Sequence, residues 1–105
     1  MGYLISGGIV VNATGQQRAD VLLEGDRISA VAPNLSAHGQ TTIDAQGCLI
    51  FPGFIDPHTH FDMECGSFST ADDFISGSRA AILGGTTTVL DFAEPYGAET
   101  PDDAY

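Results

Sequence analysis

Along the amino-terminal half of the chain, short apolar or β-branched runs alternate with glycine-containing polar breaks, the pattern of brief strands joined by turns. Leu4-Ile5 and the run Ile9-Val10-Val11 flank Gly7-Gly8, which predicts a hairpin or a bulge. Val21-Leu22-Leu23 and Ile28-Ser29-Ala30-Val31 flank Glu24-Gly25-Asp26-Arg27, a short glycine turn. Thr41-Thr42-Ile43 and Cys48-Leu49-Ile50-Phe51 repeat the arrangement around Gln46-Gly47, while Pro33-Asn34 and residues 36–40 read as loop. Together these predict a small antiparallel sheet or half a sandwich.

The pattern changes at Phe51-Pro52-Gly53. An apolar strand, Phe54-Ile55, runs into Asp56-Pro57-His58-Thr59-His60-Phe61, and residues 62–69 read as a loop. Thr70-Ala71-Asp72-Asp73 matches a capping box, with Thr70 as the cap and Asp73 at the third position. Phe74, Ser78, Ala81 and Ile82 follow at helical spacing, with Ile75 beside them, and Gly84-Gly85 supplies the left-handed residue that ends a helix. Residues 86–92 are β-branched and uncharged until Asp91, the composition of a buried parallel strand. Strand, helix and strand make one right-handed βαβ unit. The fold class expected is therefore α/β, with residues 1–52 a partial β-sandwich and residues 53–105 a separate α/β segment.

The last residues open another helix. Thr100 is a cap, Pro101 suits the first helical position, and Asp102 and Asp103 sit at the positive pole. A single turn is not stable by itself, because nucleation fixes several residues for one hydrogen bond. Two parallel strands and one helix also cannot cover each other's apolar faces. The expectation is a fragment of a longer protein.

Composition narrows the partners. The net charge of −11 and the absence of any lysine leave Arg18, Arg27 and Arg79 as the strong cations. Such a surface repels nucleic acid and anionic lipid, so neither is expected as a partner. No apolar run approaches the roughly 18 residues of a membrane span. The start lacks a basic segment and breaks at Gly7-Gly8, unlike a signal peptide, so a cytoplasmic location is expected. Gly2 and Ser6 fit the loose myristoylation pattern, which matches by chance far more often than by function. Cys48 and Cys65 are expected as reduced thiols, and the sequon at Asn12 is idle without secretion.

The candidate chemistry lies at His58 and His60. Residues two apart on a strand share a face, with α-carbons roughly 6.5–7 Å apart, so both imidazoles can converge on one cation. Thr59 points the other way, and Pro57 removes a backbone donor and stiffens the approach. The alternative is a pair of surface histidines with no ligand. A useful zinc site needs three or four ligands, for which Asp56 and Asp62 are nearby candidates, and His38 belongs to a polar loop.

The segment Phe51-Pro-Gly-Phe-Ile-Asp-Pro-His-Thr-His60-Phe61 resembles the strand that opens the barrel of the amidohydrolase superfamily. The likeness continues through Thr70-Ala-Asp-Asp-Phe74, Ser76-Gly-Ser78 and Gly84-Gly-Thr-Thr-Thr-Val-Leu-Asp-Phe92. Within that superfamily it is similar to the cyclic-amide branch, the dihydropyrimidinases and hydantoinases. Allantoinases and dihydroorotases are the rivals. The turn Asp62-Met63-Glu64-Cys65-Gly66 and the strand end Asp91-Phe92-Ala93-Glu94-Pro95 favour the dihydropyrimidinase side.

The resemblance implies a partial composite β-sandwich over residues 1–52 and the truncated start of a TIM barrel over 53–105. It further implies a hydrolase acting on cyclic amide bonds, with two metals, usually zinc, bridged by a carbamylated lysine and a hydroxide. His58 and His60 would bind one metal, residues 62–66 would border the pocket of a small cyclic amide or ureide, and Met63 and Cys65 would touch its variable substituent or merely pack the loop. A chain without lysine cannot supply the bridge. The other metal histidines and the proton-handling aspartate match no position here, so no catalytic residue is expected within this chain, and the chain alone is expected to be inactive. The parent is expected to be a homo-oligomer. Two other readings stand beside this one: a non-catalytic relative, and a small oligomeric β-rich binding module. Thr86, Thr87 and Thr88 read as β-propensity, and Asp91 as a hydrogen-bonded structural residue.

Overall fold

Gly7 and Gly8 do not turn a hairpin; they carry the chain from one sheet into another. The computed structural model describes residues 1–104, in a mixed α/β, strand-rich arrangement of two units, one spanning Met1–Pro52 and the other starting at Gly53. In the first unit the strands are β1 (Gly2–Ser6), β2 (Ile9–Asn12), β3 (Gly15–Arg18), β4 (Asp20–Glu24), β5 (Arg27–Ala32), β6 (Thr41–Asp44) and β7 (Leu49–Ile50). They form a four-stranded sheet ordered β5-β4-β1-β6 and a three-stranded sheet ordered β3-β2-β7.

Two of the three expected hairpins are thereby corrected. β1 pairs parallel with β6, and β2 pairs parallel with β7. The chain crosses between the two sheets three times, at residues 7–8, at Ala19 and at residues 45–48, and the first and last crossings are flanked by bonds from Ala45 N to Ser6 O (2.8 Å) and from Ile9 N to Cys48 O (3.0 Å). Glycine is needed at the first crossing. Gly7 has φ +83°, and a Cβ on Gly8 would stand 2.6 Å from Ile50 Cδ1. A glycine between apolar runs marks a change of direction, but only long-range pairing decides whether the runs meet each other. The third hairpin, β4 to β5 around Gly25 at φ +60°, is present. So is one the pattern did not announce, β2 to β3, whose second strand is Gly-Gln-Gln-Arg and wholly exposed. Its turn is held by Asn12 Oδ1, which accepts from Thr14 N (2.9 Å) and Thr14 Oγ1 (2.7 Å).

The core of this unit collects Val10, Ala19 and Val21, with Ile5, Leu23 and Ile50 packed against them. Ile5 and Val21 are register partners, and Val21 and Leu23 share a face at period two, so the core draws on both sheets. Asp20 ties the layer's edge: its carboxylate accepts from Gly7 N and Leu35 N, both at 2.9 Å.

The second unit holds β8 (Phe54–Thr59), β9 (Glu64–Cys65), β10 (Phe68–Ser69), α1 (Phe74–Leu83), β11 (Thr86–Asp91) and α2 (Pro101–Ala104). β8 and β11 are parallel neighbours with α1 as their connection, the expected βαβ. The segment read as loop contains a minimal antiparallel pair, β9 with β10, turning at Gly66 (φ +64°).

The helix cap is shifted from its expected place. Asp73, not Thr70, is the N-cap: its carboxylate accepts from Ser76 N (2.7 Å), and Ser76 Oγ accepts from Asp73 N (3.1 Å), a reciprocal box one turn later. Those bonds hold the Asp73 carboxyl below its ordinary range. The Thr70 hydroxyl is used elsewhere, accepting from Met63 N (3.0 Å) and reaching Asp72 O (3.3 Å). At the other end Gly85, at φ +92°, is the left-handed residue. Thr100 caps α2 as expected: its hydroxyl oxygen accepts from Asp103 N (3.4 Å), and Asp103 Oδ2 accepts from Thr100 N (2.8 Å).

β11 is parallel but not buried. Leu90 is 51% exposed and Ile55, on β8, 64%. One helix against a two-stranded sheet leaves the rest of the sheet's apolar surface uncovered.

Candidate metal centre

The candidate site is made where β8 ends against β11. The ladder there is irregular: Asp56 pairs with Val89 and Thr59 with Asp91, so three steps on β8 face two on β11. The extra residue falls at Pro57-His58, where proline has no N–H to give the ladder. His58 N turns instead to Asp56 Oδ1 (3.1 Å). The ladder resumes with Phe92 N donating to Thr59 O (3.1 Å).

Beyond that bulge the side chains sort to two sides. Thr59 Oγ1 donates to Asp91 Oδ1 (2.8 Å), and Phe61 N donates to the same oxygen (2.9 Å). His58 and His60 converge, their Nε2 atoms 3.1 Å apart and their rings crossing at 67°. Phe92 packs against both imidazoles, 4.4 Å from His58 and 5.4 Å from His60 between ring centres. His60 Nδ1 is buried and lacks a hydrogen bond; the nearest carboxylate, Glu94 Oε1, is 3.9 Å away, too far for one. Among the described residues no group of three or more His, Cys, Asp or Glu side chains is gathered as a metal site.

An open cavity of about 700 Å³ is bordered by Phe61, Asp62, Met63, Phe92, Glu94 and Tyr96 among others; neither histidine is on its wall, which reaches them only through Phe61 and Phe92. Met63 thus lies on the cavity wall. Cys65 does not; it is exposed on β9. Asp62, in left-handed conformation at φ 51°, also borders the cavity, whereas the Asp56 carboxylate is occupied by the His58 amide. His38 belongs to the first unit, exposed in its loop. The Tyr96 hydroxyl donates to the carbonyl of Glu64, tying the segment after β11 to β9. Partial desolvation of the half-exposed phenol, and then the neighbouring Cys65, Glu94, Glu64 and Glu99, raise its pKa above the ordinary value.

Phe92 and Glu94 belong to the strand end that carries the family resemblance, but no role is legible for either from it, and Tyr96 lies outside any motif. The signal that places Phe92 is the parallel pairing itself, since the residue after Asp91 must lie beside the residue after Thr59. That register exists only once the strands have met.

Comparison with known proteins gives this geometry a context. The model of the amidohydrolase family matches residues 49–104. D-hydantoinase of Geobacillus stearothermophilus is 50% identical over 92 residues, covering 88% of this chain and 20% of that protein. D-phenylhydantoinase of Escherichia coli is 46% identical over 92 residues, covering 87% of this chain and 20% of that protein. Among solved structures, dihydropyrimidinase from Brevibacillus agri superposes with a TM-score of 0.91 at 41% identity, over 99% of this chain and 23% of that one. The chain spans about a fifth of the length of the curated relatives it matches. With the family match covering the βαβ unit and both histidines, the chain belongs to the amidohydrolase family.

Proposed function

We propose that this chain contributes His58 and His60 to the metal centre of a dihydropyrimidinase-like hydrolase of cyclic amides. The observation that carries the reading is the 3.1 Å separation of the two Nε2 atoms. Two nitrogens on one tetrahedral zinc, each at about 2.0–2.1 Å, lie about 3.3 Å apart. The donor set therefore fits a zinc-like cation with little movement. When bound, such a metal supplies a Lewis acid that polarises a ring carbonyl and lowers the pKa of a water. The chain's own residues do the holding: β8 presents both imidazoles to one side, and Phe92 shields one face of each from solvent.

Two ligands do not complete a site. The remaining ones, and the bridging carbamylated lysine that a lysine-free sequence cannot provide, are proposed to come from outside these residues. The same applies to the rest of a TIM barrel, of which residues 53–105 would be the start, residues 1–52 being part of the accompanying sandwich. The cavity beside Met63 is proposed to receive the substituent of a small cyclic amide or ureide; Cys65, off the cavity wall, would act there only through β9. The hydantoinase and dihydropyrimidinase names of the relatives favour this reading over an allantoinase or dihydroorotase. A homo-oligomeric parent in the cytoplasm completes the proposal; no helix among the described residues is long and apolar enough to cross a membrane.

The test is a chimaera in which residues 1–105 replace the matching segment of the Geobacillus D-hydantoinase. It should hydrolyse hydantoin when loaded with zinc, while the 105-residue chain alone should not. His58→Asn or His60→Asn should each lower kcat/KM by more than the about 10–100-fold typical of outer-shell changes. Unchanged activity in those variants would remove the histidines from the site, and hydrolysis by the chain alone would overturn its need for further ligands.

A further inference from the structure

We infer that Asp91 is a positioning residue for the histidine pair, a role that rests on the metal reading above. The bulge at Pro57-His58 takes the end of β8 off the regular ladder just where the ligands must be held. Past the bulge the pairing resumes at Thr59 and Asp91, and Phe92 N donates to Thr59 O at 3.1 Å. The Asp91 carboxylate adds side-chain bonds to that pairing at the end of the strand. One oxygen, Oδ1, accepts from the Thr59 hydroxyl at 2.8 Å and from the Phe61 amide at 2.9 Å. Thr59 and Phe61 are the residues on either side of His60, so the clamp fixes the chain direction both before and after that ligand. Hydrogen bonds to a charged acceptor are about twice as strong as neutral ones, and both partners lie in a half-buried position where solvent competes less.

The clamp also sets which way the imidazoles face. Thr59 turned toward Asp91 puts His58 and His60 on the opposite side of the strand, against the ring of Phe92. Adjacent residues of β11's end thus act on both sides of the same tip, Asp91 by hydrogen bonding and Phe92 by packing. Asp91 touches neither imidazole; it acts through the backbone and Thr59.

The experiment is an imidazole proton–nitrogen NMR titration of the ¹⁵N-labelled chain with zinc. Wild type, Asp91→Asn, Asp91→Ala and Thr59→Val are compared, with His38 as internal reference. In wild type the His58 and His60 signals should move together with one midpoint while His38 stays. Asn keeps an oxygen acceptor for both donors, so Asp91→Asn should hold the midpoint within about threefold, whereas Asp91→Ala should raise it by about tenfold or more, the range of an outer-shell partner. Thr59→Val, which removes one of the two bonds and guards against a variant that does not fold, should fall between them. The Phe61 amide should lose its protection from hydrogen exchange in Asp91→Ala, with or without metal.

An unchanged zinc midpoint in Asp91→Ala would overturn the positioning role, as would an Asn variant as weak as Ala. If the wild-type histidines of the chain alone ignore zinc, the zinc content of the D-hydantoinase chimaera decides: a zinc-free wild-type chimaera overturns the metal reading, and equal zinc content in wild type and Asp91→Ala overturns the positioning role and leaves Asp91 a structural clamp only.

Discussion

Phe61 packs its ring against Gly77. The ring packs so closely on α1 that a Cβ at position 77 would stand 2.5 Å from Phe61 Cε1, and Gly77 is the buried residue of that helix. Phe61 also meets Phe74 edge-on at 5.8 Å, so the residue that follows His60 is seated in the helix surface. This contact couples the ligand-bearing tip of β8 to α1 independently of the strand ladder.

Gly77→Ala should therefore destabilise the second unit although alanine is the better helix former. Overpacking costs about 1–3 kcal/mol, against about 1 kcal/mol gained in helix propensity. Hydrogen exchange of the α1 amides measures the net effect, expected to be faster exchange, with the Phe61 ring signals displaced. Slower exchange with an unmoved ring would show that the helix adjusts without strain.

Helix α1 should also loosen in acid. The Ser76 bonds hold the Asp73 carboxyl below its ordinary value of 3.8, so the folded form binds the proton more weakly than the unfolded one. The stabilisation is complete above 3.8 and is lost as pH falls through the lower folded value. Amide protection of residues 74–77 followed downward from pH 5 should show the loss, and Asp73→Ala should lack the pH-dependent part. Thr70→Val should leave it in place, because Thr70 bonds Met63 rather than the helix.

Tyr96 should ionise late. Partial desolvation and the surrounding Cys65, Glu94, Glu64 and Glu99 raise its pKa above 10.0, and its hydroxyl donates to the Glu64 carbonyl. The folded state holds that proton more tightly than the unfolded one, so raising the pH through 10.0 removes stability. The difference in phenolate absorbance between wild type and Tyr96→Phe isolates this step. A Tyr96 that titrates at or below 10.0 would mean that the link to β9 is open in solution.

Phe92→Leu should change the environment of both imidazoles at once. With ring centres 4.4 and 5.4 Å away, the aromatic ring shifts the His58 and His60 proton signals, and leucine abolishes that shift while keeping an apolar cover. Loss at one histidine alone would contradict the shared packing.

Much of the second unit is legible from local signals. Two histidines at strand spacing, the glycine pair after an amphipathic run and the β-branched segment that follows specify βαβ without reference to anything distant. The cap of α1 was misplaced because Thr70 and Asp73 both satisfy a capping pattern three residues ahead of a suitable partner. What separated them was the loop before the helix, where the Thr70 hydroxyl already serves Met63 N. In the first unit the glycine pairs were equally visible, but their meaning was not. Whether residues 4–5 and 9–11 pair with each other or with β6 and β7 depends on contacts about forty positions away in sequence.

The candidate site divides the same way. By itself, the sequence determined that His58 and His60 share one side of a strand, that Pro57 has no donor to give beside them, and that Asp91 ends the next parallel strand, since these follow from spacing and from which residues have an N–H. Only the tertiary structure decided that one Asp91 oxygen takes both Thr59 and Phe61, that Phe92 covers the two imidazoles, and that Met63 reaches the cavity while Cys65 does not. Those facts depend on register and on a one-residue bulge, and a shift of one position turns every side chain of a strand to its other face.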